Sequence, residues 1–250
     1  MKAMVLAAGL GTRLQPLTNE RPKALVEISG RTLLDITLAR LRAFGIHEVI
    51  INVHHFADMV VDFLKAHDNY GMRIEISREE KLLDTGGGLK KAAYFFLEGS
   101  ALSDEPFVLH NVDVISTIDL KRMVQTHKES RALATIAVQQ RETTRPLLFD
   151  KQLQLCGRGP DRDGKKETVR PCFLPQPFAF SGIHVISTKL LPQLSEGGAF
   201  SIISSYLRLA AEGQRVMAFR GDEYYWRDLG RLAHVQQVEN EVKRQMVQLP

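Results

Sequence analysis

The stretch that decides the fold is residues 3–14, which read AMVLAAGLGTRL. Its first four residues, 3–6, are all apolar, as is typical of a buried β-strand. The strand runs directly into a loop of small residues that includes Gly9 and Gly11. Small residues let backbone N–H groups approach a phosphate closely, because little side chain blocks them. The stretch therefore predicts a strand followed by a loop that is suited to binding a phosphate.

Two common phosphate-binding motifs do not fit this loop. A Walker loop needs Gly-Lys followed by Ser or Thr, which this stretch lacks, and the GxGxxG fingerprint fails because position 14 is leucine. What remains is a glycine-rich turn with Arg13, followed ten residues later by Lys23 in the sequence PKAL. Such a mixture of amides and mobile cations suits a triphosphate, and an ordinary βα turn with a solvated arginine is the alternative.

Outward from this loop, short apolar runs alternate with amphipathic stretches. We expect strands at 3–6, 48–53, 72–76, 107–110, 132–139, 178–186 and 216–219. We expect a helix where Leu34, Leu38 and Leu41 recur at helical spacing before Gly45, and further helices at 57–67, 88–97, 202–211 and 232–246. This alternation predicts an α/β fold with a Rossmann-like, mostly parallel twisted sheet, helices on both faces and a small β insertion.

The middle of the chain differs from its flanks. Residues 145–177 hold five prolines, residues 149–155 alternate like a hairpin arm, and residues 157–166 are typical of an exposed loop. We interpret 145–177 as an insertion at the edge of the sheet, and the chain 1–250 as a single domain.

Composition narrows the functional class. The 250-residue chain has a formal net charge of +4 without a long basic run, so no nucleic-acid partner is expected. Cys156 and Cys172 lack metal-site spacing and are expected to be reduced thiols. No apolar stretch reaches 18 residues, so we expect no membrane span and a cytoplasmic enzyme. The sequence leaves open whether the chain forms a homo-oligomer.

The segments LAAGLGTRLQPLT at 6–18 and RPKAL at 21–25 together resemble the signature of the sugar-phosphate nucleotidyltransferases. The resemblance covers most of the chain and is weakest at 145–177. It implies that a nucleoside triphosphate and a sugar 1-phosphate are the substrates, and that Arg13 and Lys23 are catalytic cations on the triphosphate. It also implies that the nucleotide contacts Leu6, Ala7, Ala8, Gly9, Gly11 and Thr12.

Two aspartates complete the expected catalytic centre. Asp113 ends the sequence LHNVD at a predicted strand end, which is where open parallel sheets bind ligands. Asp228 lies in the sequence WRDLG before the last expected helix. The resemblance implies that both carboxylates bind Mg²⁺ and that Asp113 is catalytic. Taken alone, each aspartate also fits a helix cap or a turn.

Two further segments resemble substrate-binding elements. LDTGGGL at 83–89 looks most like the base-binding segment of N-acetylmuramate 1-phosphate uridylyltransferases, with a flexible turn as the alternative. FSGIH at 180–184 resembles the sugar-lining segment of the same subgroup, with a buried strand as the alternative. Glu79 matches an acidic position of the subgroup, and we interpret it as a solvated surface side chain. The implied substrate contacts are Thr85, Gly86, Gly87, Asn111 and Gly182.

One part of the family pattern is missing. Many members carry Glu-Lys-Pro before the sugar segment, and that lysine binds the sugar phosphate. Here residues 166–171 read KETVRP. Lys165, Lys166 and Arg170 are candidates for the missing cation, and each also fits a solvated run of charges.

The resemblance implies a magnesium-dependent enzyme that transfers a nucleotidyl group to a sugar 1-phosphate and releases pyrophosphate. UTP and an amino-sugar 1-phosphate are the expected pair, and a mannose- or heptose-1-phosphate guanylyltransferase is the alternative. A non-catalytic nucleotide-sugar sensor is disfavoured by the presence of Arg13, Lys23, Asp113 and Asp228. A dinucleotide-dependent dehydrogenase is disfavoured because GxGxxG fails.

Overall fold

The structure is a computed structural model, which describes residues 1–98, 105–160, 164 and 166–246. The strands are β1 (Lys2–Leu6), β2 (Glu27–Ile28), β3 (Arg31–Thr32), β4 (Glu48–Val53), β5 (Arg73–Arg78), β6 (Phe107–Asn111), β7 (Val114–Ser116), β8 (Ala134–Gln139), β9 (Leu147–Phe149), β10 (Leu155–Arg158), β11 (Glu167–Thr168), β12 (Gln176–Ile186), β13 (Val216–Arg220) and β14 (Trp226–Asp228). The helices are α1 (Leu33–Ala43), α2 (Ala57–Ala66), α3 (Asp84–Lys91), α4 (Ala93–Leu97), α5 (Leu120–Ser130), α6 (Ile202–Ala211) and α7 (Leu232–Lys243). Short 3₁₀ turns lie at Thr12–Leu14, Lys23–Leu25, Asp68–Gly71 and Thr188–Gln193.

One large sheet organises the described residues. Its main order is β11-β10-β9-β12-β6-β1-β4-β5, with β8 paired to β12 and β13 paired to β8. Strands β6, β1, β4 and β5 are parallel, and β12 runs antiparallel to its neighbours. The predicted α/β class, with a sheet that is mostly parallel at its core and helices around it, is confirmed.

Strand β1, within the parallel part of the sheet, separates two hydrophobic cores. Ala3 and Val5 pack into one core together with side chains of α1, α2 and α7. Met4 packs into the other core with α3, α4 and α6. Because successive side chains of a strand point to opposite faces, a fully apolar strand needs helices on both sides. The run AMVL therefore required a sheet that is covered on both faces.

Several boundaries differ from the sequence expectation. The helix expected at 88–97 begins at Asp84 and is interrupted at Ala92, so its residues belong to α3 and α4. Helix α5 was not predicted, although Asp119 caps it by accepting the Arg122 N–H at 3.0 Å. The C-terminal helix α7 ends at Lys243 rather than Met246.

The region 145–177 adds short antiparallel strands to the first half of β12. Strand β9 pairs with β12, β10 with β9, and β11 with β10. The hairpin arm expected at 149–155 is wrong, because Asp150 accepts the N–H groups of Gln152 and Gln154 and so closes a turn there. The expected loop at 157–166 starts later than predicted, since Gly157 lies in β10; residues 161–163 and 165 are outside the described part. We propose that this region is an edge insertion within a single domain.

Candidate active site

The loop after β1 is anchored where it leaves the strand. The Leu6 carbonyl accepts the Val112 N–H at 3.1 Å, and the Ala7 N–H donates to Oδ1 of Asn52 at 2.8 Å. Gly11 has a φ of +66°, and a Cβ there would lie 2.8 Å from Cγ2 of Thr18 and 3.2 Å from Cβ of Lys23. Only glycine fits this left-handed position beneath the lysine. The loop therefore folds onto the segment that carries Lys23, while Gly9, Thr12 and Arg13 remain exposed.

Lys23 and Asp113 form an ion pair across the site. Lys23 starts a 3₁₀ turn, and its ammonium group donates to Oδ2 of Asp113. The two side chains are only 14% and 11% exposed. An ion pair that is shielded in this way is much less screened by salt than a surface pair. A cation from the N-terminal segment is thus fixed against the carboxylate at the end of β6.

The pairing of β7 with β14 brings the second aspartate to the same place. Asp228 lies opposite Val114 in this ribbon, and the Leu229 N–H donates to the Asp113 carbonyl at 2.8 Å. A Cβ on Gly230 would lie 2.8 Å from Oδ1 of Asp228, 2.9 Å from an Nη of Arg13 and 3.3 Å from Oδ2 of Asp113. Residues that are more than 200 positions apart therefore surround one point.

This donor set fits a magnesium ion that is shared with substrate phosphates. Among the described residues no group of three or more His, Cys, Asp or Glu side chains could hold a metal ion. Mg²⁺ is commonly bound through one or two carboxylates, with phosphate oxygens and waters completing its octahedron. Asp113 and Asp228 supply two such carboxylates, and the exposed loop with Arg13 leaves an open side for phosphates.

A buried polar network connects the phosphate loop to α3. Asn52 accepts the Ala7 N–H and donates from Nδ2 to Oε1 of Glu79 at 2.8 Å. Oε2 of Glu79 accepts the Leu83 N–H at 3.0 Å. Our interpretation of Glu79 as a solvated side chain is wrong, since it is 4% exposed. The sequence analysis also missed Asn52, because a single asparagine in a buried strand carries no motif.

The three glycines lie inside helix α3, where Gly86 and Gly87 pack against residues 198–200 and Gly88 packs against Asn52 and Glu79. A Cβ on Gly86 would lie 2.3 Å from the ring of Phe200, and one on Gly87 would lie 2.6 Å from the Gly198 carbonyl. The N–H groups of both glycines donate to the Phe200 carbonyl. Oγ1 of Thr85 accepts the Ile202 N–H at 3.0 Å. Close packing explains these residues, and their contact with a base stays a prediction.

The segment after Phe180 bulges toward the aspartates. The register of β12 against β8 shifts between Phe180 and His184, and Gly182 has a φ of +75°. A Cβ on Gly182 would lie 2.6 Å from Cγ2 of Val114 and 3.2 Å from Nδ2 of Asn111. Bulges often occur beside active sites, where they redirect the chain. Gly182 and Asn111, both predicted to contact substrate, are therefore brought together.

Arg141 is a charged residue of this area that the sequence analysis missed. Its guanidinium carbon lies 3.8 Å from the ring centroid of Trp226, and one Nη donates to the Phe180 carbonyl at 2.5 Å. The indole N–H of Trp226 donates to the Ser181 carbonyl at 2.7 Å. Arg141 follows β8 without any recognisable motif, so only the packing of β8, β12 and β14 reveals its position.

The comparison with known proteins identifies the family. The sequence profile described as "Nucleotidyl transferase" matches residues 2–146. The chain belongs to the nucleotidyl transferase family. The recognition of a sugar-phosphate nucleotidyltransferase from the loop signature is confirmed, and the protein is an enzyme of that class.

Individual relatives differ in the base that they use. The chain is 35% identical to N-acetylmuramate alpha-1-phosphate uridylyltransferase from Caulobacter vibrioides, over 85% of each chain. It is 37% identical to mannose-1-phosphate guanylyltransferase 1 from Arabidopsis thaliana, over 55% of this chain but only 38% of that protein. A crystal structure of UDP-glucose pyrophosphorylase with UDP-glucose superimposes with a TM-score of 0.76 at 17% identity, covering 98% of both chains. The nucleotidyl transferase fold thus extends through the whole described chain.

No helix among the described residues of this family member is long and apolar enough to cross a bilayer.

Proposed function

We propose that the protein transfers the uridylyl group of UTP to N-acetylmuramate 1-phosphate or a close amino-sugar 1-phosphate. The observation that carries the reaction is the convergence of Arg13, Asp113 and Asp228 around Gly230, with Lys23 paired to Asp113. The preference for UTP and an amino sugar is supported by the uridylyltransferase relative, which matches 85% of the chain at 35% identity.

The reaction is a direct displacement at phosphorus. An oxygen of the sugar phosphate forms a bond to the α-phosphorus of UTP, and the bond to the bridging oxygen of the β-phosphate breaks. The electron pair leaves with pyrophosphate. A phosphate monoester is already anionic near neutral pH, so no general base has to remove a proton. Catalysis then depends on positioning and on neutralising charge.

The cations of the N-terminal segment act on the triphosphate. Arg13 is exposed beside the two aspartates, so it can reach the pyrophosphate portion as charge develops there. Lys23 lies against Asp113 and packs on Gly11 of the loop, and we assign it to the phosphates of the same nucleotide. Asp113 and Asp228 would hold Mg²⁺, which when bound neutralises phosphate charge and aligns the two substrates.

The proposal extends to the remaining substrate contacts. The loop residues that contact the nucleotide are Leu6, Ala7, Ala8, Gly9, Gly11 and Thr12. The segment around Thr85, Gly86 and Gly87 lines the base, and its helix begins next to the Glu79 network. Asn111 and Gly182 line the sugar beside the β12 bulge.

A guanylyltransferase is the second candidate function. It is favoured by the mannose-1-phosphate guanylyltransferase relative, which is 37% identical over 139 residues. Guanine is larger than uracil and presents a different hydrogen-bonding edge, so one pocket should discriminate strongly between them. Thymine differs from uracil by one methyl group, which is worth only about 1–3 kcal/mol, so some use of dTTP is expected.

The test is pyrophosphate release with four nucleoside triphosphates, each combined with a panel of sugar 1-phosphates. We expect the highest kcat/KM for UTP with N-acetylmuramate 1-phosphate. Asp113→Asn should remain folded and lower kcat by roughly 10²–10³, because a group that stabilises transition-state charge is lost. A clear preference for GTP with mannose or heptose 1-phosphate would contradict the uridylyl assignment, and near-normal turnover of a folded Asp113→Asn would contradict the metal role.

A further inference from the structure

The guanidinium group of Arg141 is held firmly beside the β12 bulge. Its guanidinium carbon lies over the ring of Trp226, 3.8 Å from the ring centroid. One Nη donates to the Phe180 carbonyl at 2.5 Å. Trp226 is itself fixed by its hydrogen bond to the Ser181 carbonyl. Stacking and hydrogen bonding together orient the group, so little conformational entropy remains to be lost when a ligand binds.

Several polar atoms around Arg141 have no partner among the described residues. They are Nε of Arg141, Oδ1 of Asn111 and Oγ of Ser181, and all three are buried. A buried polar atom without a partner costs free energy, so such atoms commonly mark a place where a ligand or water binds. All three residues adjoin the β12 segment 180–182, since Arg141 donates to the Phe180 carbonyl, Ser181 belongs to the segment and Asn111 lies against Gly182.

Arg141 is also close enough to Asp228 to feel its charge. Burial lowers the pKa of the Arg141 guanidinium, and the negative charge of Asp228 opposes that change. No hydrogen bond joins the two side chains among the described residues, whereas Lys23 is paired directly with Asp113. Arg141 therefore adds positive charge near the aspartates from the β12 side. The cations Arg13 and Lys23 come instead from the N-terminal segment.

The cations considered from the sequence lie elsewhere. Arg170 pairs with Asp150 at 2.9 Å, and Lys166 precedes β11 at the outer edge of the sheet. Phe149, next to Asp150, pairs with Gln176, which is six residues before Gly182. That separation is about 20 Å at the ~3.3 Å rise of a strand. Lys165 is outside the described residues. Neither Arg170 nor Lys166 is therefore placed beside the sugar segment.

We propose that Arg141 binds the phosphate group of the acceptor sugar 1-phosphate. The proposal rests on the proposed function, since it assigns one of the two phosphate subsites that this reaction needs. The planar fork of an arginine matches the oxygens of a phosphate in a bidentate way. Trp226 and Phe180 aim the fork, and Arg141 holds the acceptor phosphate so that a remaining oxygen can attack the α-phosphorus. The triphosphate is left to Arg13 and Lys23.

The test compares three variants with the wild type. Arg141→Gln keeps a flat group that can stack on Trp226 but removes the charge, and Arg141→Lys keeps the charge but loses the fork. Arg170→Gln is the matched control, because it removes an arginine that pairs with Asp150 away from the site. The measurements are the KM values for the sugar 1-phosphate and for UTP in pyrophosphate release, with melting temperatures for all proteins.

We expect Arg141→Gln to raise the KM for the sugar 1-phosphate by about tenfold to a hundredfold, since a hydrogen-bonded charge is lost. The KM for UTP should stay within about twofold of the wild type, Arg141→Lys should be intermediate, and Arg170→Gln should be unchanged. An unchanged acceptor KM in a folded Arg141→Gln, or equal rises for both substrates, would overturn the proposal. Failure of the proposed function would instead appear in the wild type, as absent pyrophosphate release.

Discussion

Gly230 allows charged side chains to approach one another closely, because it has no side chain of its own. The position that its Cβ would occupy lies within 3.3 Å of atoms from Arg13, Asp113 and Asp228. Its N–H also donates to Oδ1 of Asp228 at 2.6 Å and so fixes that carboxylate. A methyl group here would displace at least one of these charged groups. The guanidinium group of Arg13 would move most easily, because it is exposed.

We therefore predict that Gly230→Ala folds normally and lowers kcat at least tenfold. A displacement of about 1 Å in a catalytic group can cost about 10² in rate. The control is Gly197→Ala, because a Cβ on Gly197 would meet nothing within 4 Å and should leave the rate unchanged. Turnover and melting temperature should be measured together. Full activity in Gly230→Ala would show that Arg13 does not need its present position.

The elements around the loop are linked through buried polar side chains. Asn52 on β4 binds the loop after β1, and Glu79 after β5 joins Asn52 to the start of α3. Gly88 allows this contact, because a Cβ there would lie 2.8 Å from Oε1 of Glu79. The loop and the helix that carries Thr85 are thus positioned by one carboxylate, which acts through Asn52 and the Leu83 N–H.

We predict that Glu79→Gln lowers the free energy of unfolding by about 1–3 kcal/mol. A glutamine has one acceptor oxygen for two donors, so either Asn52 or the Leu83 N–H loses its partner. The same change should raise the KM for the nucleoside triphosphate, because Asn52 fixes the Ala7 N–H. Glu80→Gln is the matched control, since Glu80 is the exposed neighbour. Urea unfolding and steady-state kinetics measure both effects, and equal midpoints for the two variants would refute the role of Glu79.

The stability of the folded chain should depend on pH through its buried histidines. His184 on β12 is 1% exposed, and its Nδ1 lies 3.1 Å from the Tyr206 hydroxyl on α6. Burial, aided by the nearby His110, lowers the pKa of His184 to about 3. The unfolded chain therefore binds more protons below pH ~6.5, and stability falls as pH drops from there toward 3.

We predict that His184 lowers the free energy of unfolding by about 2 kcal/mol between pH 7 and pH 5. The magnitude follows because pH 5 is about 1.5 pH units below the pKa of a histidine in the unfolded chain. His184→Asn retains a polar group for Tyr206 and should flatten the dependence of unfolding free energy on pH. His55→Asn alters an exposed histidine and should leave the slope unchanged. Denaturant melts at both pH values provide the measurement, and identical slopes for His184→Asn and wild type would disprove the assignment.

Across the whole molecule, local sequence patterns predicted the existence and type of several strands and helices. The apolar run at residues 3–6, strand β4 and helix α6 fell where the sequence indicated, since period and length are properties of neighbouring residues. Boundaries failed where tertiary contacts decide them. Gly86 and Gly87 are helical because Phe200 packs on them and accepts their N–H groups, and nothing in the sequence near them announces a partner over 100 positions away.

The loop signature, with Arg13, Lys23 and the two WRDLG and LHNVD aspartates, was sufficient to recognise the family and its reaction. It was sufficient because these segments together resemble the family signature, whereas each segment taken alone also fits an ordinary turn or a helix cap. Only the folded chain could bring Asp113 and Asp228 together around Gly230, bury Glu79 and place Arg141 on Trp226. These relations depend on strand order and on the β12 bulge. The pairing of strands that are distant in sequence is not encoded in the residues that flank each strand.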